Sequence, residues 1–127
     1  MAHTLSWYTP HRVLCLTLEG QLSIEELQEI NLKVMEMFER QNDRLNIVID
    51  ATSLKSGYNT SNDLRSTQKY MNHHQLDTAF VVAENKINRL ITLMAFSISR
   101  AKFLQFRDWE KATDMLSRSG FANTQIK

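Results

Sequence analysis

Apolar and polar positions alternate with a period of two over Arg12–Glu19, where Leu14, Leu16 and Leu18 interleave with Val13, Cys15 and Thr17. That is the period of a strand. Leu5–Tyr8 precedes it as a shorter run, with Pro10-His11 as a turn between them and Gly20 as the stop. The pair predicts an N-terminal antiparallel hairpin. The period then changes. Leu27, Ile30, Asn31, Val34, Met35 and Phe38 follow helical spacing behind Ser23-Ile24-Glu25-Glu26, a capping-box pattern. A helix to about Arg40 follows.

The rest of the chain alternates in the same way. Leu45–Ala51 is a short β-branched run that suits an inner strand and ends beside Asp50. A polar stretch, 52–61, contains Gly57. A second helix is expected from Thr60 or Ser61, with Asp63 in its first turn, to about Asn72 or His73. Thr78–Ala83 is the next strand. A third helix is expected over Lys86–Arg100, apolar on most sides. Lys102–Phe106 is the last strand. Asp108 caps a final helix with Trp109, Ala112, Met115 and Leu116 as its stripe and Gly120 as its stop. The order β-β-α-β-α-β-α-β-α predicts an α/β fold, a mixed five-stranded sheet with about four helices. No linker or repeat divides the 127 residues, so one domain over 1–127 is expected.

Composition narrows the function classes. Net charge is +1, too small to argue for a nucleic-acid partner. The N-terminal residues do not read as a signal peptide, and Ile87–Ile98 is far short of a membrane span. The single cysteine, Cys15, implies no oxidising compartment, so a cytoplasmic address is expected. Three unclustered glycines form no phosphate loop. His73-His74-x-x-Asp77 has poor chelate spacing, and no metal or other cofactor is expected. Asp50 ends a central strand, where ligand-facing groups sit in open α/β sheets, but no second carboxylate or histidine converges on it in sequence. No catalytic residue is assigned.

The chain resembles the STAS/SEC14-type, SpoIIAA-like proteins. The resemblance runs from Val13 to Leu116. It rests on Leu18-Glu19-Gly20 with Ser23 opening the first helix, the IVIDAT strand end at Asp50, the AFVVAEN strand end, and KFLQFRDWEKATDML with its Glu110-to-Ala112 step. It implies a non-enzymatic domain. In anti-sigma-factor antagonists of this kind a serine at the start of the helix after the central strand is phosphorylated to switch partner binding. The matching region, 56–61, lacks their Asp-Ser-x-Gly pattern, which leaves Thr60 and Ser61 as candidate phosphoacceptors beside the commoner role of helix caps. The SEC14 side of the resemblance implies a small apolar ligand such as a lipid.

The third helix is the other candidate. An all-round apolar helix in so short a chain has few elements to bury it. Leu90, Met94, Phe96 and Ile98 are therefore candidate interface or ligand residues, joined by Asp50 from the sheet. A protein partner, a homodimer contact, or an apolar pocket adapted by Met71 and Met94 would each use them.

Overall fold

The computed structural model describes residues 3–55 and 60–118. The loop glycine Gly57 and the stop Gly120 lie outside the described residues. The strands are β1 (His3–Thr9), β2 (Val13–Gly20), β3 (Leu45–Leu54), β4 (Leu76–Val82) and β5 (Lys102–Phe106). The helices are α1 (Ile24–Glu39), α2 (Ser61–Thr67), α3 (Lys86–Phe96) and α4 (Trp109–Arg118). The sheet runs β1-β2-β3-β4-β5 in space as in sequence. β1 and β2 are antiparallel, and every later pair is parallel.

The hairpin turn is closed by Arg12 N–H donating to the Thr9 carbonyl at 3.0 Å, with His11 at φ 63°. Proline before a left-handed residue is the chemistry of a type II turn. Gly20 ends β2 at φ +65°, with open space where a Cβ would go. Gly20→Ala therefore meets no clash and costs only the left-handed backbone, about 1–2 kcal/mol. A urea titration checks this; an unchanged midpoint would refute it.

Alternation in the inner strands divides the core. Leu14, Leu16, Ile47, Ile49, Ala79 and Val81 face α1, α2 and α3. Val13, Val48, Phe80 and Val82 face the other way, onto Ala112 and Leu116 of α4. Three helices thus cover one face and α4 part of the other. Leu27, Ile30, Val34 and Phe38 form the buried stripe of α1, and Ser23 Oγ accepts from Glu26 N–H at 3.1 Å as its cap. Asp108 Oδ1 accepts from Lys111 N–H at 2.8 Å at the start of α4.

Several boundaries differ from the sequence expectation. β3 runs on to Leu54, three residues past Ala51. The second helix is broken: α2 stops at Thr67, and a 3-10 turn occupies Lys69–Asn72. The break is made from outside the segment. Gln68 is buried, and its Nε2 donates to the Leu27 carbonyl of α1 at 2.8 Å, while Tyr70 N–H donates to Asn31 Oδ1 at 3.1 Å. The third helix stops at Phe96, so Ile98 lies in the turn after it.

Cys15 sits on the α4 face, opposite Leu14 and Leu16. Burial pushes its thiol up, a hydrogen bond with Thr17 pulls it down, and the Asp50 carboxylate adds to the rise. The thiolate is the nucleophile, so less of it is present at any given pH than for a free cysteine. Alkylation by iodoacetamide at pH 8 should be slower than that of a cysteine peptide, and should reach the peptide's rate in denaturant. Equal rates in native buffer would contradict this.

Candidate functional site

The feature that stands out is the orientation of α3. Asn85 Oδ1 caps it, accepting from Ile87 N–H at 2.8 Å and Asn88 N–H at 3.2 Å. At 100° per residue, Asn88, Thr92 and Ala95 share one side, and Ile87, Leu90, Leu93 and Met94 spread over the opposite arc. The side turned to the protein carries two polar residues among its apolar ones. Asn88 and Thr92 are buried together with Ala95 and Phe96. Asn88 Nδ2 donates to the Leu54 carbonyl at 3.2 Å. Gln105 Nε2, from β5, donates to Thr92 Oγ1 at 2.8 Å and to the Arg89 carbonyl at 2.5 Å.

The apolar arc faces outward. Ile87, Leu90 and Met94 are 53%, 56% and 53% exposed, and Ile98 beyond the helix is 80% exposed. Fully burying such a side chain is worth about 1.5–3 kcal/mol, so Ile87, Leu90 and Met94 each forgo roughly half of that and Ile98 most of it. A helix that buries amides and a hydroxyl while presenting leucine and methionine to water fits a surface meant to be covered. Arg65 of α2 donates to the Met94 carbonyl at 2.7 Å and ties the C-terminal end of α3 to its neighbour.

The structure brings Leu90, Met94 and Ile98 together on this surface. It turns Phe96 the other way, 4% exposed, into the core beside Ala95 and against Phe103. With Thr92, Leu18, Ile49, Gln68 and Tyr70, Phe96 lines a small interior cavity of about 30 Å³. That is far below the roughly 150 Å³ of an engineered apolar cavity that holds benzene. Met71 is buried in the core. Asp50 is on the other side of the sheet, level with Val82, and its Oδ1 accepts from Thr52 N–H at 3.1 Å and Thr52 Oγ1 at 2.7 Å. It is separated from α3 by the sheet.

Thr60 is the cap of α2. Its Oγ1 accepts from Asp63 N–H at 3.1 Å, and Asp63 Oδ2 accepts from Thr60 N–H at 2.9 Å, a reciprocal capping box. Ser61 is the first helical residue. His73 and His74 stack at 4.6 Å, and His73 Nδ1 accepts from Gln75 N–H at 3.1 Å. Among the described residues no group of three histidine, cysteine or carboxylate side chains is placed to hold a metal.

Two features were missed in sequence: the inward polar row Asn88–Thr92 and its β5 partner Gln105. The i, i+4 spacing of Asn88 and Thr92 inside an apolar run was the available signal.

With the geometry in place, one comparison decides the fold. A crystal structure of an uncharacterized protein from the DUF3478 family with a SpoIIAA-like fold, from Shewanella loihica PV-4, superposes with a TM-score of 0.62. The match covers 91% of this chain and 92% of that one, at 18% identity. The fold is SpoIIAA-like. No protein-family model and no curated protein matches the sequence. A SpoIIAA-like sheet explains the layout of the surface just described: its crossover helices lie side by side on one face, so α3 can show an outer arc that no other described element covers. Among the described residues no helix is long and apolar enough to cross a membrane.

Proposed function

We propose that this SpoIIAA-like domain is a non-enzymatic docking module, spanning 1–127 and working in the cytoplasm, that holds a protein partner on the outer arc of α3. The observation that carries the reading is the inverted helix, with Asn88 and Thr92 inside and Ile87, Leu90 and Met94 outside. Interface cores are made of such side chains, clustered and framed by polar groups. Thr60 and Ser61 begin the helix that contacts α3 through Arg65, so a phosphate there would add negative charge near this arc.

The experiment compares the wild-type chain with Leu90→Glu/Met94→Glu as baits. Both side chains are half in water, so the melting temperature of the variant should stay within about 2–4 °C of wild type. The wild type should retain a partner that the variant loses. An identical retained set for both baits would defeat the reading.

A second reading, carriage of a small apolar molecule, draws on the apolar cavity between α3 and the sheet. At about 30 Å³ it is well below the roughly 150 Å³ that holds a benzene, and a lipid chain would need α3 to move. Organic extraction of the purified protein tests it: stoichiometric lipid would favour the carrier over the docking module.

A further inference from the structure

The charge around α3 says what kind of partner fits. From Asn85 to Arg107 the chain carries Lys86, Arg89, Arg100, Lys102 and Arg107 and no aspartate or glutamate. Glu84 and Asp108 flank this span, and Arg65 adds a further cation from α2. Lys86 stands one helical turn before Leu90, on the same outward arc, and is exposed. Arg89 and Arg65 spend their guanidinium donors on backbone carbonyls, of Ala83, Glu84 and Met94, and keep their charge. The apolar arc is therefore set in a cationic frame, although the whole chain is nearly neutral at +1.

A second copy fits this surface poorly. Packing α3 on α3 across a two-fold axis would bring like charges together. The acidic outer side of α1 has the right sign, but Leu32 is its one strongly exposed apolar residue, and Glu29 and Glu36 already pair with Lys33 and Arg40 at 3.0 Å. It would set carboxylates against leucine and methionine.

Resting on the docking reading, we infer that the occupant is an acidic amphipathic helix of another protein. It would lay leucine-type side chains, spaced i, i+3/i+4, i+7, on Leu90, Leu93 and Met94, and its flanking carboxylates would meet Lys86 before the arc and Arg100 beyond its end; Lys102 shares the strand parity of Phe80 and Val82 and faces the other side of the sheet. α3 is 11 residues long, which matches a partner segment of about three turns. Charge complementarity of this kind sets orientation and on-rate, and is weakened by salt.

The test uses the full chain and two labelled synthetic peptides with the same leucine heptads, one flanked by glutamate and one by lysine, read by fluorescence anisotropy. The glutamate peptide should bind at least tenfold tighter than the lysine peptide, with an advantage that shrinks in high salt. Leu90→Ser/Met94→Ser should abolish binding, and Lys86→Glu/Arg100→Glu should reverse the preference, both with unchanged melting. Equal binding of both peptides, lost in Leu90→Ser/Met94→Ser, would overturn the acidic preference and leave the docking reading standing. Binding of neither peptide would overturn the inference. Two companion measurements separate the remaining occupants. A concentration-dependent dimer in sedimentation, lost in Leu90→Ser/Met94→Ser, would replace the partner helix with a second copy. Co-sedimentation with phosphatidylcholine–phosphatidylserine vesicles, without glutamate-peptide binding, would replace it with an anionic lipid surface.

Discussion

Replacing Phe38 with alanine should lower the unfolding free energy by about 3–5 kcal/mol, the range for deleting a buried phenylalanine. Phe38 has no exposed surface and closes the last turn of α1 over the core. Its ring meets Tyr70 edge-on at 6.3 Å and His73 at 5.3 Å, so it joins α1 to the 3-10 turn. Tyr70 is itself buried and held by Asn31, so the site has little freedom to collapse into the vacated space. Domains of this size have total stabilities of about 5–15 kcal/mol, and the loss would be a large share of that. The variant also carries a pH signature. Burial, and then the neighbouring His74, hold the His73 imidazole below its ordinary value, with Glu39 pulling the other way. A lowered folded value means that the unfolded chain binds the proton more readily. Stability from this group is complete above the ordinary imidazole value of 6.5 and falls as pH drops through it. With Phe38 gone, His73 should titrate higher and that loss should shrink. Urea titrations at two pH values and a histidine NMR titration check both parts; a cost under about 1.5 kcal/mol would contradict the packing argument.

Much of the frame was legible along the chain because it depends on local rules. The two-residue period of β2, the Ser23 cap and the Asp108 cap are settled by residues within a few positions of each other. The break between α2 and the 3-10 turn was not legible. Nothing in Arg65-Ser66-Thr67-Gln68 forbids a helix, and the break is imposed by Leu27 and Asn31, some forty positions away. The face of α3 was hidden for a related reason. A helix apolar on most sides offers several arcs for burial, and hydrophobicity alone does not select among them. The selection comes from partners brought by the fold: the Leu54 carbonyl, at the end of a strand longer than expected, and the Gln105 amide. Of the candidates on that helix, sequence could name Leu90 and Met94 as a pair but could not separate them from Phe96, which points inward.

That dependence on partners gives the second large expected effect. Asn88→Ala/Gln105→Ala removes the amides that join α3 to β3 and β5. Buried acceptors and the Thr92 hydroxyl lose donors, and each such loss costs about 1–3 kcal/mol. Apolar packing cannot make up the difference at this helix, because much of its apolar surface is in water while Ile91, Ala95 and Phe96 hold its inner side. The loss should therefore be local. Amide exchange should speed up across Lys86–Phe96 by about one to three powers of ten, while β3 and β4 keep most of their protection, since they are paired on both edges in mid-sheet. Uniform acceleration through the sheet would mean that α3 is part of the global folding unit. Confinement to α3 would mean that a few inward amides hold in place the helix that carries the docking arc. A partner on Leu90 and Met94 would then restore the protection, because binding to the ordered helix alone shifts the equilibrium toward it.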